Sequence, residues 1–228
     1  MKRIVLILLL FYLRPSHALP ENFVYLHELA PEIIEEIRYA SSNNFMGQPA
    51  PGYVSPRCVL SRPAALQLKQ AQEAIRAQGY TIKVYDCYRP QQAVNAFYTW
   101  AQDMNDTRMK EAFYPSEIKE ALFSKGYIAL HSGHTRGSTV DLTLVKLPQA
   151  NSTQKPEDNA VDMGTPFDFF DERAAVFYPK LAKEQKNNRM LLRKLMIANG
   201  FIPYEKEWWH FTLKNEPYPE TYFNFSVQ

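Results

Sequence analysis

The chain has 228 residues, 46% of them hydrophobic and 22% charged, with a formal net charge of +2. That apolar content suffices for a packed core and excludes a disordered chain, and the length suits one domain or at most two small ones. A balance so close to neutral gives no electrostatic case for nucleic acid as a partner.

The first segment reads as an address. Lys2 and Arg3 precede an unbroken apolar run from Ile4 to Leu13, which Arg14 and Pro15 end. Ten residues are too few to span a bilayer comfortably. Ser16-His17-Ala18 then supplies small residues at the positions that a cleavage site after Ala18 requires. Residues 1–18 are therefore expected to be a signal peptide, and residues 19–228 an exported, periplasmic domain with no stable membrane anchor after cleavage. The removed segment carries Lys2, Arg3 and Arg14 and no acid, so the mature chain stands at −1. It holds just two cysteines, Cys58 and Cys87. In an oxidising compartment an isolated even pair favours a disulfide.

In chain order, Pro31 to Arg38 has helical spacing, with Ile33, Ile34 and Ile37 on one side. Residues 43–53 are rich in Asn, Gly and Pro and read as a loop. Ser61 is a plausible N-cap, Pro63 lies in the first turn, and Leu66, Ala71 and Ile75 continue a helix that Gly79 stops. Thr81 to Tyr85 alternates and is rich in strand formers. Pro90 opens another helix, with Val94, Phe97, Tyr98 and Ala101 toward the core. A further helix falls within Pro115 to Ser124, and Thr139 to Val145 is a strand. Residues 146–170 are loop-like. A helix runs from about Glu184 to Asn199 and ends at Gly200, and Trp208 to Leu213 is aromatic and strand-prone. The expected fold is a single α+β domain: a central antiparallel sheet with packed helices.

Four histidines survive signal removal: His27, His131, His134 and His210. His134 lies seven residues before Asp141, and His210 three residues after Glu207. Two imidazoles, a carboxylate ligand and a second, non-ligating carboxylate are the parts of a catalytic zinc site, where three protein ligands leave a position for water. An odd spacing puts His134 and Asp141 on opposite faces of a straight strand. A bend is therefore required, which Gly137 can supply, with His134 on the approach and Asp141 on the strand. By the same argument Glu207 belongs before the strand that carries His210. Spacing alone leaves His131 open as an alternative ligand.

Ser132-x-His134-x-x-Gly137-x-Thr139-x-Asp141, followed by Glu207-x-x-His210, resembles the zinc D-alanyl-D-alanine dipeptidases, the VanX-like members of a wider D,D-peptidase family. Asn44-Phe-Met-Gly-Gln-Pro with Gly52-Tyr53, Asp86-Cys-Tyr-Arg-Pro90 and Met163-Gly-Thr-Pro-Phe-Asp168 fit the same family in the same order. Thr139 stands where the wider family commonly has Ala. The resemblance spans about residues 23–226. It implies that His134, Asp141 and His210 bind one zinc ion and that His131 does not. It makes Glu207 the general base and later the general acid, and Arg89 the group that stabilises the oxyanion. It suggests Asp168, with Tyr53 close by, for the ammonium of a small dipeptide substrate, and Ser132 and Tyr39 near its carboxylate. The implied activity is hydrolysis of D-alanyl-D-alanine in cell-wall fragment turnover. A D,D-carboxypeptidase or endopeptidase acting on peptidoglycan, and a non-enzymatic zinc-containing binding module, are the competing readings. Oligomeric state is not legible in the sequence.

Overall fold

The computed structural model describes residues 19–148 and 160–228. The expected signal peptide and the middle of the 146–170 loop lie outside the described residues. The strands are, in chain order, β1 (Phe23–Tyr25), β2 (Ile34–Glu35), β3 (Val59–Ser61), β4 (Tyr80–Asp86), β5 (Thr139–Lys146), β6 (Phe201–Pro203) and β7 (His210–Leu213). The helices are α1 (Leu26–Leu29), α2 (Arg62–Arg76), α3 (Gln91–Gln102), α4 (Lys110–Phe113), α5 (Lys119–Ser124) and α6 (Lys183–Ala198). β1 pairs with β3 in a two-stranded ribbon, and the main sheet has the order β2-β4-β5-β7-β6.

The main sheet is mixed. β4, β5, β7 and β6 are antiparallel to their neighbours, as expected, but β2 joins β4 in parallel. A parallel neighbour needs a long crossover, and the stretch between β2 and β4 contains α2, packed on the sheet through Leu68, Ala71 and Ile75.

This pairing explains the one misread element. Pro31 to Arg38 is not a helix: Ile34 and Glu35 pair with Lys83 and Val84, and a short 3-10 turn follows at Arg38–Ala40. Ile33, Ile37 and Tyr39 are buried, and the Glu35 side chain is 7% exposed. Inward positions thus recur every two residues, the strand period, although the isoleucines also fit a helix. Hydrogen bonds to the edge of β4 decide between the two.

Smaller differences have similar causes. Ser61 precedes α2, but its hydroxyl bonds to Ser138 Oγ at 2.7 Å instead of capping the helix. Tyr98, expected in the core, is 45% exposed and packs edge-on against Phe123 of α5. Leu66 also faces outward.

Cys58 and Cys87 are joined in a disulfide, with their Cα atoms 5.3 Å apart and both side chains buried. The bridge ties the chain just before β3 to the chain just after β4. It closes a loop with a sequence separation of 29, for which the chain-entropy account gives about 3–4 kcal/mol. Replacing both cysteines with alanine is expected to lower the unfolding free energy by about that amount. A urea titration under oxidising conditions that finds both proteins equally stable would show that the bridge contributes nothing.

Candidate metal centre

His134, Asp141 and His210 come together where three strands meet. His134 lies in a 3-10 turn, Gly133–Arg136, whose preceding residue Ser132 accepts the His134 backbone N–H at its hydroxyl, 3.3 Å away. Gly137 then turns the chain into β5 with φ +80°, and a Cβ there would lie 2.2 Å from the Phe23 ring. Only glycine satisfies both demands.

Asp141 is the third residue of β5 and stands opposite His210 of β7 on one side and Asp86 of β4 on the other. The three residues form a row across the sheet. A bulge creates half of that row. Val84 pairs with Leu142, but Asp86, two residues on, pairs with Asp141, one residue back. Side chains alternate along a strand, so the extra residue, Tyr85, transfers Asp86 to the face that carries Asp141.

The donor atoms lie close together. His134 Nε2 is 3.2 Å from Asp141 Oδ2 and 3.4 Å from His210 Nδ1, and His210 Nδ1 is 3.1 Å from Asp141 Oδ1. His134 Nδ1 faces the carbonyl of Cys87 at 2.7 Å. The proton therefore belongs on Nδ1, and the Nε2 lone pair points at its two neighbours. Asp141 Oδ1 is fully buried without a well-formed hydrogen bond. Donors about 2.0–2.1 Å from a tetrahedral ion lie about 3.3 Å apart, so this triangle of nitrogen and oxygen atoms fits zinc. It is the one His/Cys/Asp/Glu group of this kind among the described residues, and His131 is outside it. That residue is exposed, with its ring 5.0 Å from Tyr222.

A cavity of about 200 Å³ opens beside the triangle. Glu207 borders it from the turn before β7, with Oε2 3.6 Å from His210 Nδ1. Trp208 and Trp209 fix that turn. The Trp208 backbone donates to Ala174, its indole donates to Thr165, and Trp209 packs edge-on against Phe167. Burial, reinforced by the charges of Asp141 and Asp168, pushes the Glu207 carboxyl well above the usual range. Asp141 goes the other way: burial would raise it, but the two imidazoles hold it well below.

Arg89 is the cavity's one lysine or arginine among the described residues. Its Nε and Nη2 each donate to Asp86 Oδ2 at 2.9 Å, and Nη2 lies 3.8 Å from Asp141 Oδ2. Burial opposes its charge, but its surroundings, Tyr39 and Asp86 foremost, hold the guanidinium protonated.

Ser132, Asp168 and Tyr39 also line the cavity, whereas Tyr53 does not. Both tyrosines have a carboxylate partner. Tyr39, expected at the carboxylate end of a substrate, donates its hydroxyl to Asp168 at 2.7 Å. Tyr53, expected beside Asp168, donates instead to Asp86 Oδ1 at 2.7 Å. Asp168 adopts φ +59° and is pushed up to about 8, chiefly by burial. Asp86 itself had no assigned role from sequence. Its motif was visible, but the bulge that aims it was not.

The family model for D-Ala-D-Ala dipeptidase, peptidase M15, matches residues 20–228. A D-alanyl-D-alanine dipeptidase of Enterococcus faecalis is 40% identical over 206 residues, covering 90% of this chain and 98% of its own. One from Enterococcus faecium is 38% identical over 207 residues, with 91% and 98% covered. One from Streptomyces coelicolor is 37% identical over 206 residues, with 90% and 98% covered.

The raised Asp168 carboxyl sets a pH dependence. The folded metal-free protein binds a proton there that the unfolded chain releases near the ordinary carboxylate value of about 4. This contribution to stability is complete below that value and is lost as pH rises through about 8. Asp168→Asn is expected to flatten the fall in Tm of the metal-free protein between pH 5 and pH 8. Parallel Tm–pH curves for the two proteins would contradict the assignment.

Proposed function

The chain belongs to the D-Ala-D-Ala dipeptidase family of M15 peptidases, and on that premise we propose that it hydrolyses D-alanyl-D-alanine to two D-alanines with one zinc ion per chain. The observation that carries this reading is the triangle of His134, Asp141 and His210 with Glu207 and Arg89 on the same small cavity. The cavity is well below the roughly 300–1,000 Å³ of sites that take drug-sized ligands, which favours a free dipeptide over a peptidoglycan strand.

When bound, zinc supplies Lewis acidity, polarising the scissile carbonyl and making the attacking water acidic. Glu207 takes the proton of that water onto its carboxylate and returns it to the leaving amine nitrogen. The environment that raises the Glu207 carboxyl suits both halves of this transfer. Arg89 offsets the negative charge that develops on the carbonyl oxygen. Asp168, which among the described residues has a hydroxyl and no cation hydrogen-bonded to it, receives the substrate ammonium, whose charge draws it into its ionised form. Ser132, which also lines the cavity, receives the dipeptide carboxylate in this reading.

The same reading locates the enzyme outside the cytoplasm, in the periplasm, where it takes part in turnover of cell-wall fragments. The character of residues 1–18 supports this, as does a disulfide suited to an oxidising compartment. Fractionation of cells producing the full chain, with an antibody to the mature domain, tests it. Recovery in the cytoplasm alone would refute it.

The activity is tested by D-alanine release from D-Ala-D-Ala, L-Ala-L-Ala and a pentapeptide ending in D-Ala-D-Ala, each with and without a chelator. Chelator-sensitive cleavage confined to the D,D-dipeptide is the expected result. Preferential cleavage of the pentapeptide would make the protein a carboxypeptidase, and zinc uptake with no cleavage would make it a binding module. Glu207→Gln is expected to retain zinc while kcat falls about 10²–10⁴-fold. His210→Ala is expected to lose both zinc and turnover. Metal analysis of each purified variant beside its rate distinguishes the two.

A further inference from the structure

Tyr53 is buried and contributes nothing to the cavity wall, yet its hydroxyl ends in the charged cluster beneath the site. It donates to Asp86 Oδ1 at 2.7 Å, and it also lies beside the Arg89 guanidinium. The other oxygen of Asp86 takes both the Nε and Nη2 donors of Arg89. One carboxylate, fully buried, is thus held by the phenol on one side and holds the arginine on the other.

The phenol is itself fixed by backbone. Tyr53 bridges to Val227, and Val54 N–H and Ser55 N–H both donate to the Val227 carbonyl. Arg89 has flat, uncharged support from the other direction: its guanidinium carbon lies 4.8 Å from the centre of the Tyr39 ring and 5.1 Å from that of Phe97. Those rings restrain the plane of the guanidinium. They do not stop it from turning within that plane, which the paired bonds to Asp86 do.

We propose that Tyr53 is a positioning residue: by fixing the rotation of the Asp86 carboxylate it aims the Arg89 guanidinium at the reacting carbonyl. The proposal rests on the dipeptidase reading for its kinetics but not for its geometry. Arg89 is charged with stabilising a transition state, so misaiming it acts on kcat. A residue that touches the dipeptide directly, as the family resemblance suggests for Tyr53, would act on KM.

The test compares zinc-loaded wild type, Tyr53→Phe, Arg89→Ala and the double variant on D-Ala-D-Ala. Tyr53→Phe removes one oxygen and keeps the ring. Its kcat is expected to fall about 10- to 100-fold, the scale of a small misplacement of a catalytic group, with KM within about twofold. In the Arg89→Ala background the same substitution is expected to change kcat by less than about twofold, because nothing remains to be aimed. An unchanged kcat, a rise in KM alone, or a full repeat of the loss without Arg89 would each overturn the proposal. A second readout needs neither substrate nor metal. The Arg89 Nε–H resonance of the metal-free protein, assigned by its disappearance in Arg89→Lys, is expected to shift and exchange faster with water in Tyr53→Phe. If wild type fails to cleave the dipeptide, the functional reading falls. The resonance then decides: a shift upholds the positioning role and an unmoved signal ends it.

Discussion

Two carboxylates, Asp86 and Asp141, stand directly opposite each other on neighbouring strands where water does not reach. Like charges so placed repel, and burial strengthens the repulsion. The surrounding groups divide the problem. Asp141 takes the two imidazoles, which keep it ionised against its burial. Asp86 takes Arg89 and Tyr53, although burial still raises it above the ordinary range. Each acid thereby organises a different group of side chains: one gathers the two imidazoles and the other anchors the one guanidinium at the cavity among the described residues. The bulge at Tyr85 is what puts the two groups side by side.

The segment that carries Asp168 depends on another buried charge. Arg189 of α6 is 1% exposed and donates to three carbonyl oxygens, those of Met163, Ala175 and Arg173. Burial, only partly offset by the charge of Asp162, brings its pKa down to about 10. What it gains is geometry. The three carbonyls flank the segment that carries Asp168, so one side chain joins the long helix to both ends of that segment. Trp208 reaches the same segment through Ala174 and Thr165, which also seats Glu207. Asp168 and Glu207 are therefore held against a common support, although they lie far apart in sequence.

Most of the framework was legible because its signals are local. Gly79 and Gly200 end α2 and α6, and alternating runs mark β4 and β5. The bend at Gly137 followed from parity alone: an odd interval between His134 and Asp141 demanded a break in the strand. What was hidden depends on neighbours. Ile33 and Ile37 fit two periods, and only the free edge of β4 selects the strand. The partners of Tyr39 and Tyr53, Asp168 and Asp86, were not legible because family analogy places side chains near a site without saying which carboxylate each one meets. Asp86 was present in a quoted motif, but no sequence period announces a bulge. Arg189 did leave a trace. It stands at the apolar spacing of α6, three residues before Leu192, and a charge in that position asks for buried acceptors.

The bridge between Cys58 and Cys87 bears on more than the loop it closes. Cys87 offers its carbonyl to His134 and lies two residues before Arg89, while Tyr88 between them is tied to Val59 by its backbone N–H. The covalent link therefore ends on the short stretch that orients His134 and carries Arg89. Protein prepared in a reducing host and protein matured under oxidation share a sequence but are different molecules at this stretch, one with a free dithiol and one with a staple. A metal affinity, a turnover number or a melting curve describes one of these species, and the thiol titre of the sample states which.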